Sequence, residues 1–286
     1  MIILCADDYG LTEGISRAVG ELAAAHRLSA TSAVVTTPHW PAMAQRLIVH
    51  RAHLALGLHL NLTLGSPLGP MPKLAPQGRF PALAALLARA AVRQLDGREI
   101  RAEIERQFDR FEAALGHAPD HIDGHQHVHV LPIVRRAMLE AAVARYPRRP
   151  PLIRNPADRA ASIVARGVAV GKALTVGVLS RGFARAAWRR GLPINDSFAG
   201  FSDFDLARPF GDELSGNFRL PGKRHIIMCH PGHADAELAR VDPVVARRRM
   251  EYDHLMRDAA LPQLIWRPER TRDGPVLFWP QLRRAG

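Results

Sequence analysis

The sequence predicts an α/β protein in which short buried strands form a parallel sheet covered by helices on both faces. Short apolar runs alternate with stretches of helical periodicity along most of the chain. These runs are apolar throughout, which is typical of strands buried on both faces. A polar cluster follows several of the runs, at the strand ends where parallel barrels and open α/β sheets place their active sites.

The first part of the chain contains three predicted strands. Residues 1–6 form the first and end at Asp7 and Asp8. Thr12 is a suitable N-cap for a helix with an apolar face of Ile15, Val19, Leu22 and Ala23. Residues 31–37 predict the second strand, Pro41 begins a short helix, and residues 54–62 predict the third strand. A loop rich in proline and glycine follows over 65–81.

The rest of the chain continues the alternation. Residues 98–115 predict a helix, because large apolar residues recur at helical spacing and Gly116 supplies an end: Ile100, Ile104, Phe108, Phe111 and Leu115. Residues 152–154 and 225–229 predict strands, and Pro132 begins a helix. A helix near 243–257 and a last strand near 275–279 complete the prediction.

The composition is that of a globular intracellular protein. Of 286 residues, 47% are hydrophobic and 23% charged, which excludes wholesale disorder. No apolar run approaches the roughly 18 residues of a membrane span, and acidic residues follow the apolar start too soon for a signal peptide. Cys5 and Cys229 form no C-x-x-C pair, so we expect a reducing cytoplasm. We expect a single catalytic domain over 1–286.

The net charge bears on partners. Lys and Arg number 39 and Asp and Glu 27, which gives +12 and admits nucleic acid, an anionic membrane surface or an acidic substrate. A genomic bias toward arginine and alanine would also explain it. The segment around 159–192 has seven basic residues between Arg159 and Arg190, no acidic one, and many apolar residues. It predicts one or two helices that suit a membrane interface, or barrel helices with a basic outer face.

Two adjacent acids end the first predicted strand. Ionised neighbours such as Asp7 and Asp8 repel each other unless a cation or a shared proton relieves them. Asp8 could bind a metal while Asp7 acts as a base. The alternative is a loop aspartate that caps the following helix.

Histidines supply the other candidate ligands. If the chain is extended there, His125, His127 and His129 point to one face of a strand. Such a face is costly to bury without a ligand or a partner, and neutral imidazole often binds divalent metals. Surface exposure or packing against carbonyl groups is the alternative. His59 is a candidate metal ligand in the third predicted strand, and the alternative is that it packs in the core. His230 ends a later strand and is well placed as an acid, and the alternative is that it is only a turn residue.

The order of four motifs resembles a known family. The motifs are ADDYGL at 6–11, GLHLNLT at 57–63, HIDGHQHVH at 121–129 and CHPG at 229–232. Together they resemble the YdjC-like carbohydrate deacetylases, which include chitooligosaccharide and hopanoid-associated deacetylases, over roughly residues 1–260. The resemblance implies a distorted (β/α) barrel with its active site at the carboxyl ends of the strands. It also implies metal-dependent removal of the N-acetyl group from an amino sugar, in an oligosaccharide or a lipid-linked glycan.

The resemblance also implies residue roles. Asp8, His59 and His125 would hold one divalent ion, Mg²⁺ or Zn²⁺. Asp7 would be the base and His230 the acid or transition-state stabiliser. Further residues would bind substrate or orient these groups: Tyr9, Asp123, His127, His129 and Arg154. A backbone N–H near Tyr9 or Gly10 is expected to stabilise the oxyanion.

Alternative functions stay open at this point. Another metal-dependent barrel hydrolase, acting on a phosphoester or a cyclic amide, would use the same ligands. A basic protein that binds a membrane surface or nucleic acid is the other class, although no nucleic-acid motif is present. We therefore expect an N-acetylated sugar as the partner and no nucleic acid. The sequence is also compatible with a lipid-linked sugar, with peripheral contact at the inner membrane surface and with a homodimer. The sequence lacks the motifs of dinucleotide, P-loop, zincin and serine-hydrolase sites.

Overall fold

The computed structural model describes residues 1–242, 244–268, 270–271 and 274–275. Its strands are β1 (Ile2–Tyr9), β2 (Ala30–Ala33), β3 (Ala55–Leu60), β4 (His121–Gly124), β5 (Leu152–Ile153), β6 (Ser197–Ala199), β7 (His225–Cys229), β8 (Arg270–Thr271) and β9 (Gly274–Pro275). Its helices are α1 (Glu13–Ala24), α2 (Trp40–Leu47), α3 (Leu83–Ala91), α4 (Gly97–Leu115), α5 (Pro132–Arg145), α6 (Ala160–Arg166), α7 (Val170–Leu179), α8 (Phe183–Trp188), α9 (Phe210–Asn217), α10 (Leu238–Val241), α11 (Val245–Arg257) and α12 (Leu261–Leu264). Two 3₁₀ helices span Ile48–His50 and His125–Val130.

One parallel sheet carries the fold. Its strand order is β5-β4-β3-β2-β1-β7-β6, and every neighbouring pair is parallel. The two edges approach each other, because Ile153 of β5 bridges Ile194, which lies just before β6. The sheet therefore curls into a distorted barrel, and the predicted fold class is confirmed.

Strand β1 is an interior strand of this sheet, between β2 and β7, and its two faces contribute to different parts of the core. Leu4 and Ala6 belong to a large apolar cluster shared with the covering helices, whereas Ile3 and Cys5 belong to a smaller cluster with side chains from other strands. Successive side chains of a strand point to opposite faces. Asp7 therefore continues the face of Ile3 and Cys5.

Two helix predictions are confirmed in detail. The Thr12 side chain accepts a hydrogen bond from the Ile15 N–H at 3.3 Å and caps α1. Asp96 caps α4 by accepting from the N–H groups of Arg98 and Glu99. Gly116 ends α4 with φ 73°, a conformation that suits glycine.

The prediction that His125, His127 and His129 share one strand face is wrong. Strand β4 stops at Gly124, and the next six residues form a 3₁₀ helix. Gln126 and His127 have φ of 52° and 58°, in the left-handed region. Alternation of side chains requires an extended chain, so the three rings point to different neighbours.

Other elements were missed or lie elsewhere. Helix α3, strand β6 and helix α9 were not predicted, and the basic segment forms three short helices, α6 to α8. The predicted strand at 275–279 lies mostly outside the described residues. No helix in the described part of the chain has the length and apolar character needed to cross a bilayer. The prediction of one domain over 1–286 stays a prediction.

Candidate metal and catalytic site

The end of β1 brings both adjacent acids to one cavity. Asp7 follows the inner face of the strand, and Asp8 would by alternation point outward. Asp8 instead has φ 68°, a left-handed conformation that aspartate tolerates better than most residues, and the pairing of β1 with β2 shifts register at this point. Both carboxylates are 2% exposed and line the cavity.

Asp8, His59 and His125 converge at the floor of this cavity. The Asp8 Oδ1 atom lies 2.9 Å from His125 Nδ1 and 3.4 Å from His59 Nε2. One ligand atom from each of the three lies within 4.8 Å of the other two. A carboxylate oxygen with two imidazole nitrogens suits a divalent metal and leaves positions open for water and substrate. These residues therefore fit the predicted metal.

Asp123 orients His59 from the neighbouring strand. His59 and Asp123 are register partners on β3 and β4, and His59 Nδ1 lies 2.6 Å from Asp123 Oδ1. Burial alone would lower the pKa of His59, but Asp123 raises it to about 10. The contact holds the ring with Nε2 toward Asp8, as carboxylates commonly do for metal-binding histidines.

Arg154, just after β5, connects two of the acids. Its guanidinium donates to both oxygens of Asp7 at 2.7 Å and lies 2.6 Å from Asp123 Oδ2. All three side chains are almost completely buried. Burial alone would raise the pKa of Asp123, but Arg154 and His59 hold it well below its usual range. The buried Asp123 carboxylate is thus kept ionised by a fixed cation.

Arg248 of α11 is a part of the site that the sequence analysis missed. Its Nη2 atom lies 2.6 Å from Asp8 Oδ2 and 2.5 Å from Asp242 Oδ2. Burial would raise the pKa of Asp8, but Arg248 and His125 lower it well below the usual value. Arg248 is separated from Asp8 by 240 residues and belongs to no motif, so the sequence carried no signal for it.

His230 follows β7 and lines the same cavity. Its backbone N–H donates to Glu251 Oε2 at 2.5 Å, and its ring packs against Phe204 with centroids 5.9 Å apart. Burial lowers the pKa of His230 and raises that of Glu251 to about 7. Glu251, which was not predicted, fixes the main chain that carries the His230 ring.

Four predicted site residues lie outside the cavity lining: Tyr9, Asp123, His129 and Arg154. Because the backbone of Asp8 is in the left-handed conformation, Tyr9 lies in the large apolar cluster that contains Leu4 and Ala6. Its hydroxyl donates to the Met43 carbonyl at 2.8 Å. The Gly10 N–H donates to Ser16 Oγ at 3.0 Å and is not directed at substrate. His129 is fully buried, with Nε2 2.9 Å from the Arg154 carbonyl oxygen.

His127 does line the cavity. Its ring packs edge-on against Phe201 and Phe198, with centroids 5.3 and 5.9 Å away. Burial and the neighbouring His129 lower the pKa of His127 well below its usual value. A neutral ring among aromatic side chains shapes the wall beside the acidic floor.

The cavity has a polar floor and apolar walls. Its volume is about 700 Å³, within the range of small-molecule sites. Many wall residues are aliphatic and come from several elements, including α3, α7 and α10, and from loops: Leu11, Leu64, Leu83, Leu87, Val130, Leu131, Val176, Leu179, Val241 and Val244. The floor can hold a cation and hydrolyse a bond, while the walls favour an apolar group nearby.

The amino-acid sequence is similar to a protein family and to several curated proteins. The family model described as "YdjC-like protein" matches residues 1–265. A carbohydrate deacetylase of Mus musculus is 32% identical over 252 residues, covering 81% of this chain and 78% of the relative. A chitooligosaccharide deacetylase of Proteus mirabilis is 38% identical over 138 residues, covering 47% of this chain. That match spans 53%, about half, of the Proteus protein.

A solved structure shares the fold. A provisionally assigned cellobiose-phosphate cleavage protein of Enterococcus faecalis V583 superposes with a TM-score of 0.68 over 92% of each chain. The two are 20% identical. At this level the similarity supports the fold and carries no statement about the reaction.

Proposed function

This chain belongs to the YdjC-like protein family, and from that premise we propose that it is a metal-dependent carbohydrate deacetylase. Its reaction would be hydrolysis of the N-acetyl group of an amino sugar, with one divalent ion, Mg²⁺ or Zn²⁺. The observation that carries the proposal is the meeting of Asp8, His59 and His125 at the floor of a cavity that Asp7 and His230 also line.

Asp8, His59 and His125 would hold the metal. A bound divalent ion supplies polarisation of the acetamide carbonyl and lowers the pKa of a water molecule. Asp123 keeps His59 in the orientation that presents Nε2. Arg248 holds the second oxygen of Asp8, which leaves Oδ1 directed at the two imidazoles.

Asp7 and His230 would move the protons. Asp7 accepts a proton from the attacking water, whose oxygen forms a bond to the acetyl carbon. Arg154 fixes Asp7 by two contacts of 2.7 Å, and each carboxylate oxygen retains a further lone pair. His230 delivers a proton to the nitrogen as the C–N bond breaks, which yields acetate and a free amine. Desolvation lowers the pKa of His230, which makes the protonated form of the ring a stronger acid.

The walls support a lipid-linked substrate over a free oligosaccharide. Sugar hydroxyls need hydrogen-bond partners, which Thr63, Thr175 and Ser202 of the lining could supply, whereas its aliphatic residues provide none and suit an apolar group. Leu83 and Leu87 of α3 face the cavity together with Val176 and Leu179 of α7. We propose that the acetamido group reaches the polar floor while an apolar group attached to the sugar contacts these residues.

Metal analysis tests the ligand set. Asp8→Ala, His59→Ala and His125→Ala are expected to lose bound metal and deacetylase activity together, because each removes one of three protein ligands. His39→Ala is the control, since His39 pairs with Glu237 outside the cavity lining. Full metal occupancy in all three site variants would remove these assignments.

Substrate assays test the reaction class. Acetate release is compared between N-acetylglucosamine oligomers and a lipid-linked N-acetylglucosamine, after chelation and reconstitution with Mg²⁺ or Zn²⁺. We expect release from at least one, and faster release from the lipid-linked sugar. Phosphate release from a generic phosphoester without acetate release would instead support the alternative barrel hydrolase.

A further inference from the structure

Helices α7 and α8 present apolar and cationic side chains to solvent beside the cavity. We name this surface the α7–α8 face and define it by Leu174, Val178, Arg181, Arg185, Trp188 and Arg189, all of which are exposed. Trp188 is 69% exposed and Val178 is 53% exposed. Only Ser180, Arg181 and Gly182 separate the two helices, so the six residues lie close together in the sequence.

Helix α7 forms a thin wall between the cavity and solvent. Leu174 and Val178 are four residues apart and lie on one stripe of the helix. The next stripe around the helix contains Lys172, Val176 and Leu179, which line the cavity. Of the α7 residues, Ala173 alone is buried. The apolar residues of the outer stripe are therefore not needed for the core.

The arginines of this face have no carboxylate partner among the described residues, so they can contact an anionic ligand. In the described part of the chain, no carboxylate forms an ion pair with Arg181, Arg185 or Arg189. The acids nearby are already engaged, because Asp203 lies 3.6 Å from Lys172 and Glu140 lies 3.5 Å from Arg190. The face thus combines exposed cationic and exposed apolar side chains.

This combination points to a bilayer rather than to nucleic acid. Single exposed apolar residues are ordinary on protein surfaces. Exposed tryptophan, leucine and valine together with several arginines are typical of segments that insert shallowly between anionic headgroups. A surface that binds single-stranded nucleic acid needs several aromatic rings for base stacking, and the α7–α8 face offers only Trp188.

We propose that the α7–α8 face docks this protein on an anionic membrane surface. Trp188, Val178 and Leu174 would enter the headgroup region, while the arginines contact lipid phosphates. Because the adjoining stripe of α7 lines the cavity, docking places the wall of the cavity at the bilayer. The proposal does not depend on the proposed function, since binding to vesicles requires no catalysis.

Flotation with vesicles of phosphatidylcholine, with and without phosphatidylglycerol, tests this proposal. We expect the full chain to float with the anionic vesicles at low salt and to be released as salt screens the charges. Arg185→Glu/Arg189→Glu is expected to weaken binding at least about tenfold, since each basic residue near the surface contributes attraction. Trp188→Ser is expected to weaken it several-fold without changing the salt dependence.

Matched controls come from the opposite end of the sheet. Val49 is 68% exposed and lies just before the amino end of β3. Arg257 is exposed and precedes Asp258, whose carbonyl contacts Arg27 near the amino end of β2. Val49→Ser and Arg257→Glu are expected to bind vesicles as the unaltered chain does. Circular dichroism confirms that every variant is folded.

The outcomes separate this proposal from the proposed function. Asp8→Asn, which disables the candidate metal site, is expected to bind vesicles normally. Absence of flotation at low salt, or equal binding by the face variants, would overturn the docking proposal and leave the deacetylase proposal untouched. Binding to DNA or RNA that the same variants abolish, without vesicle binding, would also overturn it and assign the face to nucleic acid.

Discussion

Replacing Asp123 by asparagine separates orientation of the metal site from its chemistry. The Asp123 carboxylate lies 2.6 Å from His59 Nδ1 and 2.6 Å from an Arg154 nitrogen, and none of the three side chains has appreciable exposure. An asparagine amide has one oxygen, so it can accept from His59 or from Arg154 but not from both. Loss of such a supporting contact typically weakens metal affinity about 10–100-fold, which corresponds to about 1.4–2.7 kcal/mol.

The assay for Asp123→Asn is a competition titration with a chelator of known affinity, followed by deacetylase rates at saturating metal. We expect the metal Kd to rise about 10–100-fold and the rate at saturation to fall much less. Ser32→Ala is the control, because Ser32 donates to Asp123 Oδ2 at 2.6 Å but leaves the carboxylate in place. An unchanged metal Kd in Asp123→Asn would refute the orienting role of this carboxylate.

Three further predictions concern the charged residues Asp7, Arg154 and Asp120. Asp7→Asn should lower kcat about 10²–10⁴-fold with unchanged metal content, because it removes the proposed base; a kcat within threefold of the original contradicts that role. Arg154→Met should lower the free energy of unfolding by about 3–5 kcal/mol in urea titrations, since it leaves Asp7 and Asp123 without their shared cation; a loss below about 1 kcal/mol would contradict this. Burial raises the pKa of Asp120 to about 7, so the folded chain holds a proton that the unfolded chain releases, and stability should fall as pH rises from about 4 to 7. Asp120→Asn has no such proton and should be more stable than the original by about 1–2 kcal/mol at pH 8 in thermal or urea unfolding; equal stability of the two proteins at pH 8 would contradict it.

Much of the fold could be predicted because several of its strands, such as β3 and β7, are mostly apolar. Residues 225–229 form β7 as predicted, and α4 begins one residue before its predicted start. Helix α3 escaped prediction because no side chain caps its amino end and its sequence is apolar almost throughout, so it has no polar face to mark the helical period. The three-residue strand β6 is too short for a periodicity signal.

The candidate site was predictable where it rests on ordered motifs. The sequence indicated Asp8, His59 and His125, and the structure brings them together. It could not indicate which way Tyr9 points, because that depends on the left-handed backbone of Asp8. It also could not indicate Arg248, whose contact with Asp8 arises only from the packing of α11 at the cavity.

Arg154 links two parts of the candidate site. One guanidinium contacts both Asp7, the proposed base, and Asp123, which orients the proposed metal ligand His59. A substitution of Asp123 that is intended to change metal binding would therefore also change the interaction of Arg154 with Asp7. Under the proposed mechanism, a redesign of metal binding through Asp123 therefore has to take the proposed base Asp7 into account as well.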